Sequence, residues 1–541
     1  MNSPKLTNSI IRTALLSLAL SAFSGIGAAA QSVLTEEQGD PNRVNERTNL
    51  AYSSFNPARL IYHDGQSFQM ASLVYDGANG EFKNVDDPLQ SHHFSASISG
   101  YRDLGKTRLS GHLKYTNARD LDMPWNSTLW LNPDNPFIIA DSLWSDKTVE
   151  SFDLGATVSI DLGDYFKAGV QGGLAIGISS DQEDPRPKIS TSRIPLSAGF
   201  IWTPNDAIGV GLSAGVDIYR SFTQYSIENN LIAHRFFLMK GMADYFGLSS
   251  SQYSGYNRHY IGNTGELALQ FYVKPDGGKA SNFLEIYGKK GSQIAEDGGS
   301  SYLFKGGDYL STEIELSDRL YMESSSNGSH QLRLEAGYKS GDGYWYDQKA
   351  RTDTAHANLT YYEILAKTLV HHNSSLSGEL SYYHDFSLMK GMSYIEAGAG
   401  FTANSVEHYN ADGNSSMSWN LASARLAAGW ENKFSDGSTL HLSLHGIYAM
   451  PVGERQFGSG GRNIALGDIT QDWLAPKFEY ESGSKLKAGT AVDYSFLLKS
   501  VTVGIRGGFS CLKYCSDGEF HKDFTTPSTR NFYNLTLYTV F

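Results

Sequence analysis

The sequence predicts an all-β protein, a transmembrane antiparallel β-barrel of 14 to 18 strands, and three observations predict it. Apolar and polar residues alternate with period two through one stretch after another. The connections between these stretches alternate between short and long, and the chain ends on an alternating segment, NFYNLTLYTVF, with no polar tail behind Phe541.

Composition sets the outer limits. The 541 residues are 40% hydrophobic, 19% charged and 12% aromatic, with 55 Gly and 32 Tyr, too apolar for a disordered chain. No run of about 18 apolar residues follows the N-terminus, so membrane-spanning helices are not expected. A formal charge of -13 argues against a nucleic-acid partner, which calls for a basic face. No Pro-rich linker divides the chain, so one long domain is expected.

Residues 1–30 read as a secretory signal peptide. Lys5 and Arg12 precede the apolar TALLSLALSAFSGIGA, and Ala28-Ala29-Ala30 stands before Gln31, which is a charged start, a short apolar run and a small-residue cleavage point. No Cys lies near residue 31, so a lipid anchor is not expected there. Residues 31–66 follow as an N-terminal periplasmic or hatch segment, and 67–541 as the barrel.

Within the barrel, AIGVGLSAGVDIY places Ile208, Val210, Leu212, Ala214, Val216 and Ile218 on one face. Gly209, Gly211, Ser213, Gly215, Asp217 and Tyr219 fall on the other. SFDLGATVSIDL repeats the pattern, with Phe152 to Leu162 opposite Ser151, Asp153, Thr157, Ser159 and Asp161. Similar strands are expected at 166–178, 267–273, 310–316, 486–498, 501–509 and the C-terminus. Stretches of ten or more residues suit a tilted membrane crossing better than the five or six of an ordinary soluble strand. The polar face holds Gly, Ser, Thr, Asn and charges of both signs, as a wet lumen requires, and the other face is apolar.

Hydrocarbon offers nothing to an unpaired backbone group, so strands cross it only when the first and last pair and no edge remains. Tight turns are expected at 103–106, 161–164, 203–206, 275–278, 324–329, 371–376, 435–438 and 499–500, and long loops at 118–146, 221–261 and 451–472. Eight hairpins plus a first and a last strand give 18; the alternating stretch 391–404 fits that count badly. Short periplasmic turns and long extracellular loops are the expected asymmetry.

Two resemblances add to this reading. The closing strand, with Tyr533, Leu535, Leu537 and Phe541 on one face, resembles the assembly signal of Gram-negative outer-membrane barrels, which implies outer-membrane lipid and the barrel assembly machinery as partners. SSFNPARL, with Asn56-Pro57-Ala58 ahead of SFQMASLVYDG, resembles the Asn-Pro-Ala segment of FadL-type barrels, which include hydrophobic-compound transporters and related Bacteroidota proteins. In that family the chain before the first strand forms a hatch inside a barrel of usually fourteen strands. An ordinary Asn-Pro turn reads the same three residues.

Lumen candidates are Asp153, Lys167, Asp217, Arg333, Glu335, His441, His445, Asp493 and Arg506. His441 and His445 are separated by roughly 13 Å of strand, too far to grip one metal. The adjacent pairs His92-His93 and His371-His372 point to opposite faces, so no metal site or cofactor is expected. Gly211-Leu212-Ser213-Ala214-Gly215 matches a nucleophile pattern but lies mid-strand rather than on a strand-to-helix turn, and no acid–base set accompanies it. Catalysis is not expected. Cys511 and Cys515 are expected to form a disulfide if a turn brings their Cα atoms within about 6 Å. Trp125, Trp130 and Trp144 fall in a long loop, either stacking on sugars or anchoring a partner surface, or else packing loop on loop or ringing the membrane interface. Ile227, Leu231, His234, Leu238, Met242 and Tyr245 recur at helical spacing, which predicts a short amphipathic helix that folds inward as a constriction, covers the barrel mouth or meets a partner.

A polar lumen implies passage of a small solute, and the FadL-like motif implies a hydrophobic compound instead. The rival class is a barrel-anchored scaffold whose loops dock an outer-membrane receptor or a secreted partner. Residues 31–66 are too few for the globular plug of a TonB-dependent receptor.

Overall fold

The structure is a computed structural model that describes residues 54–541, apart from 64–66, 126, 230, 232–233, 250–254, 276–278, 300–301, 325–327, 355–358, 390, 411–412, 460–468 and 521–527. The expected signal peptide and residues 31–53 of the N-terminal segment lie outside the described residues.

Alternation in the sequence becomes a ring of strands. In chain order these are β1 (Phe68–Asn79), β2 (Gln90–Asp103), β3 (Thr107–Met123), β4 (Ile139–Ala140), β5 (Ser145–Asp161), β6 (Phe166–Asp181) and β7 (Lys188–Asn205). Then come β8 (Ile208–Ser226), β9 (Arg235–Gly241), β10 (Asp244–Ser249), β11 (Gly255–Val273), β12 (Ala280–Gly299), β13 (Tyr302–Ser324), β14 (Gly328–Asp353) and β15 (Leu359–Leu388). The set ends with β16 (Gly391–Asn410), β17 (Gly413–Lys433), β18 (Thr439–Pro451), β19 (Gln456–Ser459), β20 (Lys485–Leu498), β21 (Val501–Tyr514) and β22 (Thr529–Val540). Eighteen of them, all antiparallel to their neighbours, form the barrel. β19 only extends the ladder beside β17, and β4, β9 and β10 make a separate small sheet.

β1 pairs with β2 on one side and β22 on the other, so the ring closes with Leu73 opposite Leu537. Phe541 sits on that seam: its N–H donates to the Gln69 carbonyl at 2.8 Å and its own carbonyl accepts from the Gln69 N–H. Leu73, Leu535, Leu537 and Phe541 are exposed on the outside, as are Phe152, Val170, Val216 and Leu267. Thr157, Ser159, Ser213 and Asp217 are buried on the inside. An apolar skin around a closed ladder leaves no backbone group unpaired in lipid, and the chain is a multi-pass outer-membrane β-barrel.

Seven of the expected turns fall between paired strands, and one does not. Residues 371–376 lie in the middle of β15, which runs 30 residues and continues to Leu388 before β16 pairs back against it. The stretch 391–404 is therefore an ordinary barrel strand, part of β16. HHNSSL looked like a break because it is polar, but a strand that has risen above the bilayer is wet on both faces, so polarity no longer ends it.

The expected helix at 227–245 is also a different element. β9 and β10 form a hairpin, turned by Met242 and Ala243 at φ 43° and 65°, the two positive values a primed hairpin turn needs. An unexpected helix, α1 (Ala475–Ser482), starts with Pro476 in its first turn and stops at Gly483. The expected disulfide is absent: Cys511 and Cys515 are free thiols. β21 continues to Tyr514, so no turn intervenes, and four residues of strand hold the pair roughly 13 Å apart, beyond disulfide reach.

Candidate functional site

A chamber of about 1460 Å³ occupies the barrel interior. Its floor, near the short-turn end, is the N-terminal segment. Asn56 caps the 3-10 turn Pro57–Tyr62 by accepting from the Ala58 N–H at 2.9 Å. Its Nδ2 donates to the Phe200 carbonyl and to Gln270 Oε1, each at 3.0 Å. Gln270 Nε2 donates in turn to Glu285 Oε2 at 2.9 Å, and the same carboxylate accepts from Ser54 Oγ at 2.6 Å and the Phe55 N–H at 3.1 Å. Ser159 Oγ donates to the Pro57 carbonyl at 2.5 Å, and the Phe55 ring stacks on Tyr287 with centroids 3.9 Å apart.

The glycines of β6 to β8 make that seat. A Cβ at Gly169, Gly199 or Gly211 would run into Pro57, Ala58 or the Asn56 amide. The alternation that marks a lumen face in the sequence thus also leaves room for the turn.

At the opposite end the long loops fold inward as a roof. Arg258, fully buried, holds Asp297 through Nε at 2.5 Å and Nη2 at 2.7 Å and donates from Nη1 to the Phe137 carbonyl at 3.1 Å. The Ile139 N–H donates to Tyr260 Oη at 3.2 Å, and Tyr219 Oη donates to the Leu129 carbonyl at 2.8 Å. Trp125, Phe237, Met242, Trp419, Trp473 and Phe478 share one apolar cluster, so Trp125 packs loop on loop. Trp130 is partly exposed and faces the chamber, and Trp144 is exposed with Lys83 Nζ 5.0 Å from its ring centre. Burial pushes the Lys83 ammonium down to about 8 and the Asp141 carboxyl up to about 6.

Charges of both signs stud the wall. Asp153 lies 3.1 Å from His112 Nε2, Arg193 Nε donates to Asp217 at 2.5 Å, and Glu313 lies between Lys289 at 2.5 Å and Lys339 at 2.9 Å. Asp153 and Asp217 line the chamber. The other sequence candidates occupy the inner wall away from its lining. Arg506 donates to Asp493 at 2.9 Å through Nε, and Tyr538 Oη donates to the other oxygen at 2.8 Å. Lys167 is 3.9 Å from Asp161, and Arg333 donates to Gln331 at 2.8 Å. Glu335 stands opposite Glu379, His441 stacks on Tyr394, and His445 is level with Gly489. The sequence reading missed Glu285, Gln270, Arg258 and Asp297; their only local mark is inward-facing polarity.

Fold and lumen together define a closed outer-membrane β-barrel with an occupied interior. Residues 57–541 match a family of unknown function, DUF6850, and the chain belongs to that family. No curated protein sequence matches it. Among solved structures it is similar to a Pseudomonas aeruginosa FadL homologue at 11% identity, covering 97% of this chain and 99% of that one with a TM-score of 0.32. The siderophore receptor PiuA from Acinetobacter baumannii is similar at 8% identity over 88% and 82% of the two chains, TM-score 0.40. For BauA, the ferric preacinetobactin receptor from the same organism, the values are 9%, 88%, 80% and 0.37.

Proposed function

We propose that this barrel is a gated outer-membrane conduit for a small polar solute, with the segment 31–66 as its periplasmic hatch and the inward-folded loops as its outer gate. One observation carries the reading: the chamber between floor and roof is lined by Asp153, Asp217, Glu266 and Glu313 alongside Lys114, Arg193, Lys289 and Lys339. Charges of both signs on that wall solvate a polar or zwitterionic solute, while Trp419, Leu421 and Trp473 beside them offer its carbon skeleton an apolar surface. The Asn56 surroundings point the same way, since that side chain is met by amide and carbonyl groups rather than by a greasy pocket. The hydrophobic-compound reading implied by the Asn-Pro-Ala motif is accordingly the less favoured. The role is non-enzymatic, and the C-terminal strand is the feature offered to the barrel assembly machinery.

The test is solute flux into liposomes carrying the folded protein. Wild type is expected to pass amino acids and small sugars slowly, and Glu285→Ala, which removes the carboxylate that Ser54 and Phe55 grip, to pass them at least tenfold faster. If folded Glu285→Ala remains as tight as wild type while its hatch has been released, as judged by proteolysis of residues 54–63, the conduit reading fails and a barrel-anchored scaffold becomes the better account.

A further inference from the structure

We propose that His371 and His408 form a binding site for a late first-row transition-metal ion, Cu²⁺, Ni²⁺ or Zn²⁺, beside the chamber. The two residues are direct cross-strand partners on β15 and β16. His371 lines the chamber, and the side chain of His408 is completely buried. The sequence reading set His371 beside His372, whose ring faces the other way and binds Asp342 at 2.8 Å. The relevant partner is the histidine across the ladder.

Three features converge. His408 Nε2 lies 3.1 Å from Asp244 Oδ2 on β10. A carboxylate only accepts, so in the neutral ring Nε2 carries the proton and Nδ1 keeps a bare lone pair. Neither His371 Nδ1 nor His408 Nδ1 has a hydrogen-bond partner among the described residues, and leaving a buried polar atom unmet costs about 1–3 kcal/mol. Both nitrogens border the same small space. The point where residue 241 would carry a Cβ is 2.8 Å from His371 Nδ1 and 3.1 Å from His408 Nδ1. Gly241, at φ 125°, sits at the tip of the β9–β10 hairpin, and any side chain there would be pressed against both rings, so glycine brings the backbone up to the pair.

Two converging imidazole nitrogens, one oriented by a carboxylate on its far side, are the donor set of copper, nickel and zinc rather than of magnesium or calcium. Two ligands fall short of a closed cage, so the remaining positions go to water or to a chelating solute from the chamber. The site stands on side-chain geometry and goes beyond the conduit reading: it binds metal whether or not the barrel conducts.

Calorimetric titration of the detergent-folded full chain with CuCl₂, NiCl₂, ZnCl₂ and MgCl₂ tests it. Wild type is expected to bind Cu²⁺ more tightly than Zn²⁺ and to ignore Mg²⁺. The double variant H371A/H408A should lose one equivalent, and D244N should bind about 10- to 100-fold more weakly. Heat-modifiable gel migration checks that each variant folds; if the double variant does not, H371Q and D244N carry the comparison. X-ray absorption on the Cu²⁺ form should show two imidazoles. Equal stoichiometry in wild type and double variant overturns the proposal, as does absence of binding, which would assign the space to a bridging water.

Discussion

Asp141 lies in the roof loop with its carboxyl buried, accepting from the Leu143 N–H at 3.1 Å, while its carbonyl accepts from the Trp125 N–H at 2.8 Å. Burial raises the carboxyl to about 6; Lys147 pulls it back down, and Asp181 adds to the rise. A folded value above the unfolded one means that the protonated form fits the loop better. The stabilisation is full below the unfolded value and fades as pH rises through about 6, by roughly 3 kcal/mol in all. Amide protection factors in 124–144, taken relative to the intrinsic exchange rate at each pH, should therefore be higher at pH 4.5 than at pH 7.5, and D141N, which keeps an acceptor for Leu143 without a titration, should flatten the difference. A profile that persists in D141N assigns it to another group. At this scale the sequence was half legible. Period two placed Asp153 and Asp217 on the inner face, but the partners of Glu285 and Arg258 come from 231 and 121 positions away, and no local pattern encodes such a contact.

The elements read well where one face meets lipid and poorly where both faces are wet. Turns such as SDGS at 435–438 stand out because they interrupt an apolar stripe; the polar middle of β15 interrupts nothing. In the loops, periodicity misleads for a related reason: residues 227–245 carry apolar groups at helical spacing, yet Phe236 and Leu238 on one face of β9 and Phe237 and Met239 on the other are all buried between barrel wall and roof. A strand buried on both sides shows no period. Helix α1 is held mainly by Glu479, fully buried, which accepts from Arg455 Nη1 at 2.9 Å, from the N–H groups of Glu519 and Phe520 at 3.1 and 2.8 Å, and from Tyr514 Oη. Removing one member of such a set strands the others, at about 3–5 kcal/mol. Glu479→Ala should free the 452–484 loop for protease cleavage while the barrel keeps its folded gel migration. Unchanged cleavage would show that the apolar cluster around Phe478 suffices alone.

For the whole molecule, the distribution of strand length and polarity follows from closure. A crossing needs only about 9–11 residues, whereas β13 to β15 run 23, 26 and 30, so the wall rises well beyond the bilayer on the long-loop side and gives the roof something to fold against. That architecture requires the seam: an open ring would expose two edges to lipid, each with a row of unpaired groups. The seam also fixes register. Leu73 faces Leu537, while Leu535 faces Tyr75. Opposed Cα atoms in an antiparallel pair are about 4.5–5.5 Å apart, within disulfide range, and a two-residue offset takes them outside it. With Cys511 and Cys515 replaced by Ser, L73C/L537C should cross-link on mild oxidation and resist heat denaturation on a gel, and L73C/L535C should cross-link far more slowly. Equal rates for the two pairs, or efficient linking only in the offset one, would mean that the first and last strands do not meet as described, and the floor, chamber and roof that depend on a closed wall would need a different scaffold.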